Sequence, residues 1–130
     1  MAGLRLLVDS AALIWWFADD ERLGPAAADV MEDPSTEAYV SVASAWEIEM
    51  KRASGKLRVD GDVPEWLEAG LMYDLPVRLR HAIAAAALPM HHRDPFDRML
   101  VAQARAEGLV LLTPDEALRQ YEVPLIDART

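Results

Sequence analysis

Apolar positions along the chain fall into two alternating kinds of segment. Leu4-Arg5-Leu6-Leu7-Val8 is a short, nearly continuous apolar run, the pattern of a strand buried on both faces. Ala38-Tyr39-Val40-Ser41-Val42 and Leu109-Val110-Leu111-Leu112 read the same way, and Val123-Pro124-Leu125-Ile126 reads as an edge strand, where a proline is tolerated. Helical segments lie between them. Ser10 is placed to cap a helix over Ala11–Ala18, which is apolar almost all round and therefore buried or in an interface. A second helix is predicted over Pro25–Met31. Ser44-Ala45-Trp46-Glu47 has the form of a capping box for a helix to Ala53, stopped by Gly55, with Trp46, Met50 and Ala53 on its buried face. Asp62-Val63-Pro64-Glu65 opens a helix ending near Asp74, Leu75-Pro76-Val77 reads as an extended link, and Arg78–Ala87 is helical.

The most ordered pattern is His92-Arg93-Asp94-Pro95-Phe96-Asp97-Arg98-Met99-Leu100-Val101-Ala102-Gln103-Ala104. Asp94 caps it and Pro95 takes the first helical position, where a missing N–H costs nothing. Asp97 is the odd member. Its i+3, i+4 and i+7 neighbours are Leu100, Val101 and Ala104, so a carboxylate points along an apolar face. Gly108 ends the helix. Thr113-Pro114-Asp115-Glu116 then predicts another short helix, with Thr113 as its cap, reaching Tyr121. Strands alternating with helices predict an α/β fold, a mostly parallel central sheet flanked by helices, and residues 1–130 are expected to form a single domain.

Composition narrows the chemistry. The 130 residues include no cysteine, which excludes disulfides and thiolate metal sites and fits a reducing compartment. The start, Met1-Ala2-Gly3-Leu4-Arg5, lacks a signal-peptide layout, and no apolar run is long enough to span a membrane, so a cytoplasmic location is expected. A net charge of −9 opposes nucleic acid as a partner. Two things soften that: bound metal would neutralise some acids, and the bases are clustered, as Lys51, Arg52, Lys56 and Arg58, and as His91, His92, Arg93 and Arg98.

In an open parallel sheet, ligands bind beyond the carboxyl ends of the strands. Asp9 directly follows the first strand, Glu47 and Asp115 lie in the first turns of helices after the second and third, and Asp97 begins the helix feeding the third. Each has a purely structural explanation: Asp9 as a cap, Glu47 as a capping-box residue or the i+4 partner of Lys51, Asp97 and Asp115 as charges on a helix dipole. Taken together they describe one acidic pocket. Converging carboxylates repel unless a cation intervenes, and oxygen ligands without cysteine or spaced histidines suit Mg²⁺ or Mn²⁺ rather than zinc. Such ions activate water and stabilise a leaving oxygen in phosphodiester cleavage. His91 and His92 read as solvated loop residues. No phosphate-binding glycine loop or serine nucleophile elbow is present. Trp15 and Trp16 read as core or interface. A phospho-acceptor receiver domain is disfavoured, since it expects paired acids after the first strand and a late lysine.

These motifs resemble the PIN-domain ribonucleases, specifically VapC-type toxins of bacterial toxin–antitoxin pairs. The resemblance is carried by Leu6-Leu7-Val8-Asp9-Ser10 with Ala12-Leu13-Ile14-Trp15-Trp16; by Ser44–Lys51 with Gly55-Lys56-Leu57; by His92–Ala104; and by Leu111-Leu112-Thr113-Pro114-Asp115. It implies a PIN-like fold and a Mg²⁺- or Mn²⁺-dependent endoribonuclease, with Asp9, Glu47 and Asp97 as metal-binding acids and Asp115 as a weaker fourth. It also implies supporting hydroxyls at Ser10 and Thr113, an additional acid at Asp94, and basic positions at Lys51 and Arg98 that meet phosphate or order the acids. Lys51, Arg52, Lys56 and Arg98 are the candidate RNA contacts. The expected substrate is structured RNA, a tRNA or ribosomal loop. The expected partners are a cognate antitoxin and a second copy of the chain, with the tryptophan-rich first helix offering apolar surface to either. Many relatives have threonine and histidine after the first Asp; Ser10 and Ala11 stand there instead, which keeps a hydroxyl and removes a substrate contact. A catalytically silent binding module acting through a protein partner is the alternative reading.

Overall fold

The computed structural model describes residues 3–130; Met1 and Ala2, part of the expected leaderless start, lie outside them. Its elements in chain order are β1 (Arg5–Val8), α1 (Ser10–Phe17), α2 (Pro25–Glu32), β2 (Glu37–Ser41), α3 (Val42–Ala53), α4 (Val63–Ala69), β3 (Tyr73–Leu75), α5 (Leu79–Ala87), α6 (Pro95–Glu107), β4 (Val110–Thr113), a 3₁₀ turn (Glu116–Tyr121) and β5 (Leu125–Asp127).

Among the described residues the strands form one sheet in the order β3-β2-β1-β4-β5, with every pairing parallel. This is the expected α/β architecture. The central strands show why their sequences are continuous apolar runs. On β1, Leu6 and Val8 enter one core layer and Leu7 the other; on β4, Leu112 and Leu111 divide in the same way. Both sheet faces are covered by helices, so alternate residues are equally buried. Burying each of these leucines contributes roughly 1.5–3 kcal/mol. β1 lies between β2 and β4, so chain order reverses at the β1–β4 junction. A crevice opens at such a reversal, outside the carboxyl ends of the strands.

The helix starts differ from the expectation in an informative way. Asp9, not Ser10, caps α1, its Oδ1 accepting from the Ala12 N–H at 2.7 Å. Ser41 caps α3, so Ser44 and Glu47 are not a capping box. The parallel ladder to β3 ends at Ser41↔Leu75, and the chain turns helical at once. The starting register matters: Ala43, Ser44, Glu47 and Ile48 form the buried face of α3, while Trp46 and Met50, expected inside, are 62% and 48% exposed and Ala53 is also exposed. Thr113 is the last residue of β4 and does not cap; Asp115 caps the 3₁₀ turn through the Ala117 N–H.

Asp74 and Leu75 belong to an edge strand, β3, rather than to a helix end and a link. Its Tyr-Asp-Leu sequence is half-exposed, with a charge of the kind that protects sheet edges, and carries no apolar run to announce a strand. By contrast α6 follows the expected plan. Asp94 accepts from the Phe96 and Asp97 N–H groups, Pro95 opens the helix, and Gly108 closes it at φ 68°, a left-handed conformation that costs glycine little.

Candidate active site

Four acids stand at the carboxyl end of the sheet because four different elements begin or end there. Asp9 sits at the junction of β1 and α1 and is 6% exposed. Its second oxygen, Oδ2, accepts from the Thr113 hydroxyl at 2.6 Å, a bond from the end of β4 to the end of β1. Thr113 Oγ1 in turn accepts from the Asp115 N–H at 3.1 Å, so one hydroxyl ties two of the acids' positions together. Glu47 lies on the buried face of α3. The Ser10 hydroxyl donates to its Oε1 at 2.7 Å, and Lys51 Nζ meets its Oε2 at 3.1 Å. Asp97 projects from the first turn of α6, beside the Asp94 cap.

The electrostatics show crowding. Burial is the chief cause that pushes Asp9 up from its ordinary 3.8 to about 6, with the charges of Glu47 and Asp115 adding to it against the Thr113 and Ala12 hydrogen bonds. Asp97 is pushed up to about 7, again chiefly by burial, with the charges of Asp94, Asp9 and Asp115 adding to it. Asp9 and Asp97 thus feel the neighbouring acids, although these come from distant parts of the chain.

His92 reads from sequence as a solvated loop residue. It is instead half-buried at the edge of the site, with Nε2 at 2.8 Å from Asp115 Oδ2 and 3.5 Å from Asp97 Oδ2. His92, Asp97 and Asp115 each bring a polar atom within 4.8 Å of the other two. Sequence reasoning missed it because the contact spans 23 residues to Asp115. The one local signal was its place two residues before the cap of α6.

The basic residues divide. Lys51 and Lys56 line a cleft of about 330 Å³ that runs from Ser10 and Glu47 past Ile14 and Trp15 to Arg22. Arg52 is turned away, donating to the Val59 and Gly61 carbonyls and lying over the Trp66 ring. Arg98 is only 7% exposed. Its guanidinium donates to the Ala85, Leu88 and Pro89 carbonyls at 2.9–3.0 Å, so it closes the α5–α6 connection and does not face a phosphate. Trp15 is buried in the core and Trp16 half-buried, while the more exposed large apolar side chains include Trp46 on α3, Leu79 and Ile83 on α5, and Leu71 and Met90 in loops.

The sequence signature described as PIN domain matches residues 6–124, nearly the whole chain. The chain belongs to the PIN-domain family. This PIN domain is 29% identical over 122 residues to Ribonuclease VapC22 of Mycobacterium tuberculosis (strain ATCC 25618 / H37Rv), covering 92% of this chain and 93% of that protein. Among solved structures it is similar to VapBC2 from Rickettsia felis bound to a DNA fragment from their promoter, with a TM-score of 0.65 at 9% identity, over 95% of this chain and 98% of that one. VapBC-1 from nontypeable Haemophilus influenzae gives a TM-score of 0.62 at 14% identity, over 98% and 100% of the two chains. FitAcB from Neisseria gonorrhoeae gives 0.58 at 19% identity, over 95% and 97%. At these identities the solved structures speak for the fold.

The side chains of this PIN domain suit a hard divalent cation. The donors are carboxylate oxygens, and each Asp9 oxygen accepts one hydrogen bond and keeps a second lone pair. Asp9 and Asp97 hold their protons unusually tightly, chiefly because burial disfavours their charged forms and secondarily because neighbouring acids crowd them, and a cation held there would offset both effects.

Proposed function

We propose that this chain is a divalent-metal-dependent endoribonuclease, the toxin of a toxin–antitoxin pair, neutralised by its cognate antitoxin. The observation that carries the reading is the meeting of Asp9, Glu47, Asp97 and Asp115 at one end of a parallel sheet in a PIN domain, with Asp9 and Asp97 raised to about 6 and about 7 by their surroundings. The likeness to Ribonuclease VapC22 supports the activity.

In this reading Asp9, Glu47 and Asp97 hold Mg²⁺, or Mn²⁺, with help from Asp115. When bound, the ion supplies positive charge for the attack of water on a phosphodiester and for the leaving oxygen. The chain's own residues do the positioning. Thr113 and the Ala12 N–H fix both oxygens of Asp9. Ser10 and Lys51 fix Glu47. Asp94 caps α6 and so sets the direction from which Asp97 enters. Lys51 and Lys56 flank the adjoining cleft and offer cations to RNA phosphates despite the chain's net charge of −9. The substrate is a structured RNA, a tRNA or ribosomal loop, whose splayed bases allow the backbone to reach a recessed acidic centre.

The antitoxin inserts a segment that brings a cation against the acids. The chain pairs with a second copy through exposed apolar surface, for which Leu79 and Ile83 on α5 are available. It works as one domain in the cytoplasm; among the described residues no helix is long and apolar enough to cross a membrane.

The test is cleavage of total cellular RNA by antitoxin-free protein with Mg²⁺ or Mn²⁺, beside EDTA-treated protein and Asp97→Asn. Discrete fragments that need the ion and vanish in the variant are expected. Folded protein that cuts nothing with either ion supports the binding-module alternative.

A further inference from the structure

The imidazole of His92 is the member of the site that the acids alone do not account for. We infer that His92 is a positioning residue that holds Asp115 against Asp97 by donating an N–H, and is not a ligand of the ion. The inference rests on the reading of this site as a divalent-metal nuclease centre.

Ring chemistry decides between donor and ligand. The Asp94 N–H donates to His92 Nδ1 at 3.0 Å, so Nδ1 carries a lone pair and no proton. A neutral imidazole with a bare Nδ1 has its proton on Nε2. Nε2 is the atom 2.8 Å from Asp115 Oδ2 and 3.5 Å from Asp97 Oδ2, and it therefore donates there. A nitrogen that carries a proton has no lone pair for a metal. Ligation through Nε2 would require the ring to release the Asp94 amide.

The backbone that carries the ring is anchored as well. The His92 N–H donates to the Tyr121 hydroxyl at 2.8 Å, and the His92 carbonyl accepts from Arg98 Nη1 at 3.3 Å. Arg98 Nη1 also reaches the Tyr121 hydroxyl at 3.3 Å. Tyr121 and Arg98 are both buried, so two fixed side chains anchor the loop, one at the His92 N–H and the other at its carbonyl. Asp115 is held in its turn at both oxygens, Oδ1 by the Ala117 N–H and Oδ2 by His92. Without the imidazole N–H, Oδ2 would swing away from Asp97 under their mutual repulsion. Groups that orient ligands from behind in this way typically change metal affinity or activity by about 10- to 100-fold when removed.

The experiment measures Mn²⁺ binding calorimetrically without RNA, kcat and KM on a cleavable RNA, and thermal stability, for wild type, His92→Ala, His92→Gln and Tyr121→Phe. Glutamine brings an amide N–H to about the reach of Nε2 and is a poor metal ligand. His92→Ala is expected to weaken Mn²⁺ binding and lower kcat by about 10- to 100-fold with KM for RNA unchanged, and His92→Gln to recover most of both. Tyr121→Phe leaves the ring in place but loosens its anchor, and moves both quantities a few-fold in the same direction. Glutamine as damaging as alanine would make His92 a ligand and overturn the inference. So would an alanine variant that melts earlier yet binds and cuts like wild type. Wild type that neither binds Mn²⁺ nor cuts RNA would overturn the nuclease reading first, and this inference with it.

Discussion

The hydroxyl of Thr113 donates to Asp9 Oδ2 at 2.6 Å across the junction of β4 and β1, both residues being buried. It is one of the two hydrogen bonds that oppose the upward push of burial on Asp9. Thr113→Val keeps the shape and removes the donor, leaving a buried charged acceptor short of a partner. The expected cost is about 1.5–3 kcal/mol at neutral pH. The acidic limb of the cleavage pH profile should move upward, because Asp9 then ionises at higher pH. Chemical denaturation and a pH–rate profile check both.

Asp9 and Asp97 make the ion-free protein less stable as pH rises. Both carboxyls sit above their ordinary 3.8, at about 6 and about 7, so between pH 4 and 7 the folded chain binds more protons than the unfolded one. Stability linked to these groups is full below about pH 4 and is lost as pH rises through 6 and 7. EDTA-treated protein should therefore melt at a lower temperature at pH 8 than at pH 5.5, and added Mg²⁺ or Mn²⁺ should reverse most of the loss. A Tm series with and without ion measures it.

Asp97→Asn separates stability from activity. The amide removes a half-buried negative charge from beside Asp94, Asp9 and Asp115. The variant should abolish RNA cleavage, yet in EDTA at pH 8 it should melt above wild type. Equal melting temperatures would mean that crowding of the acids costs the fold nothing.

Arg98→Lys tests the clamp over the α5–α6 connection. One ammonium cannot span carbonyls at Ala85, Leu88 and Pro89 that a planar guanidinium reaches from two nitrogens. A loss of about 1–3 kcal/mol is expected, since the buried Ala85 carbonyl and the part-buried ones at Leu88 and Pro89 cannot all keep a charged donor. Denaturant midpoints for Arg98→Lys and Arg98→Ala measure it.

Lys51 and Lys56 answer to salt. Lys51 is half-exposed, so its pair with Glu47 contributes no more than about 1 kcal/mol to stability. Replacing both lysines by alanine should leave Tm nearly unchanged. It should weaken RNA binding more at low salt than at high salt, reducing the salt slope by about one unit for each phosphate that is no longer neutralised. Filter binding across a salt series checks this.

Local pattern determined much of this protein. Continuous apolar runs marked β1, β2 and β4 because a strand covered on both faces has no polar side to show, and Asp94-Pro95 with Gly108 marked both ends of α6 because cap chemistry is local. Asp9, Glu47, Asp97 and Asp115 were legible as acids next to strand ends or helix starts, and their motifs carried the family resemblance. What only the tertiary structure decided were facts about register and long-range partners. The face of α3 that is buried depends on where β2 lets go, so Trp46 and Met50 point outward and Glu47 inward. The roles of Arg98 and His92 depend on what lies opposite them: carbonyls on the α5–α6 connection for one, Asp115 from 23 residues away for the other. A side chain's chemistry is written in its own residue type, but its partners are set by where the packed sheet brings distant segments together.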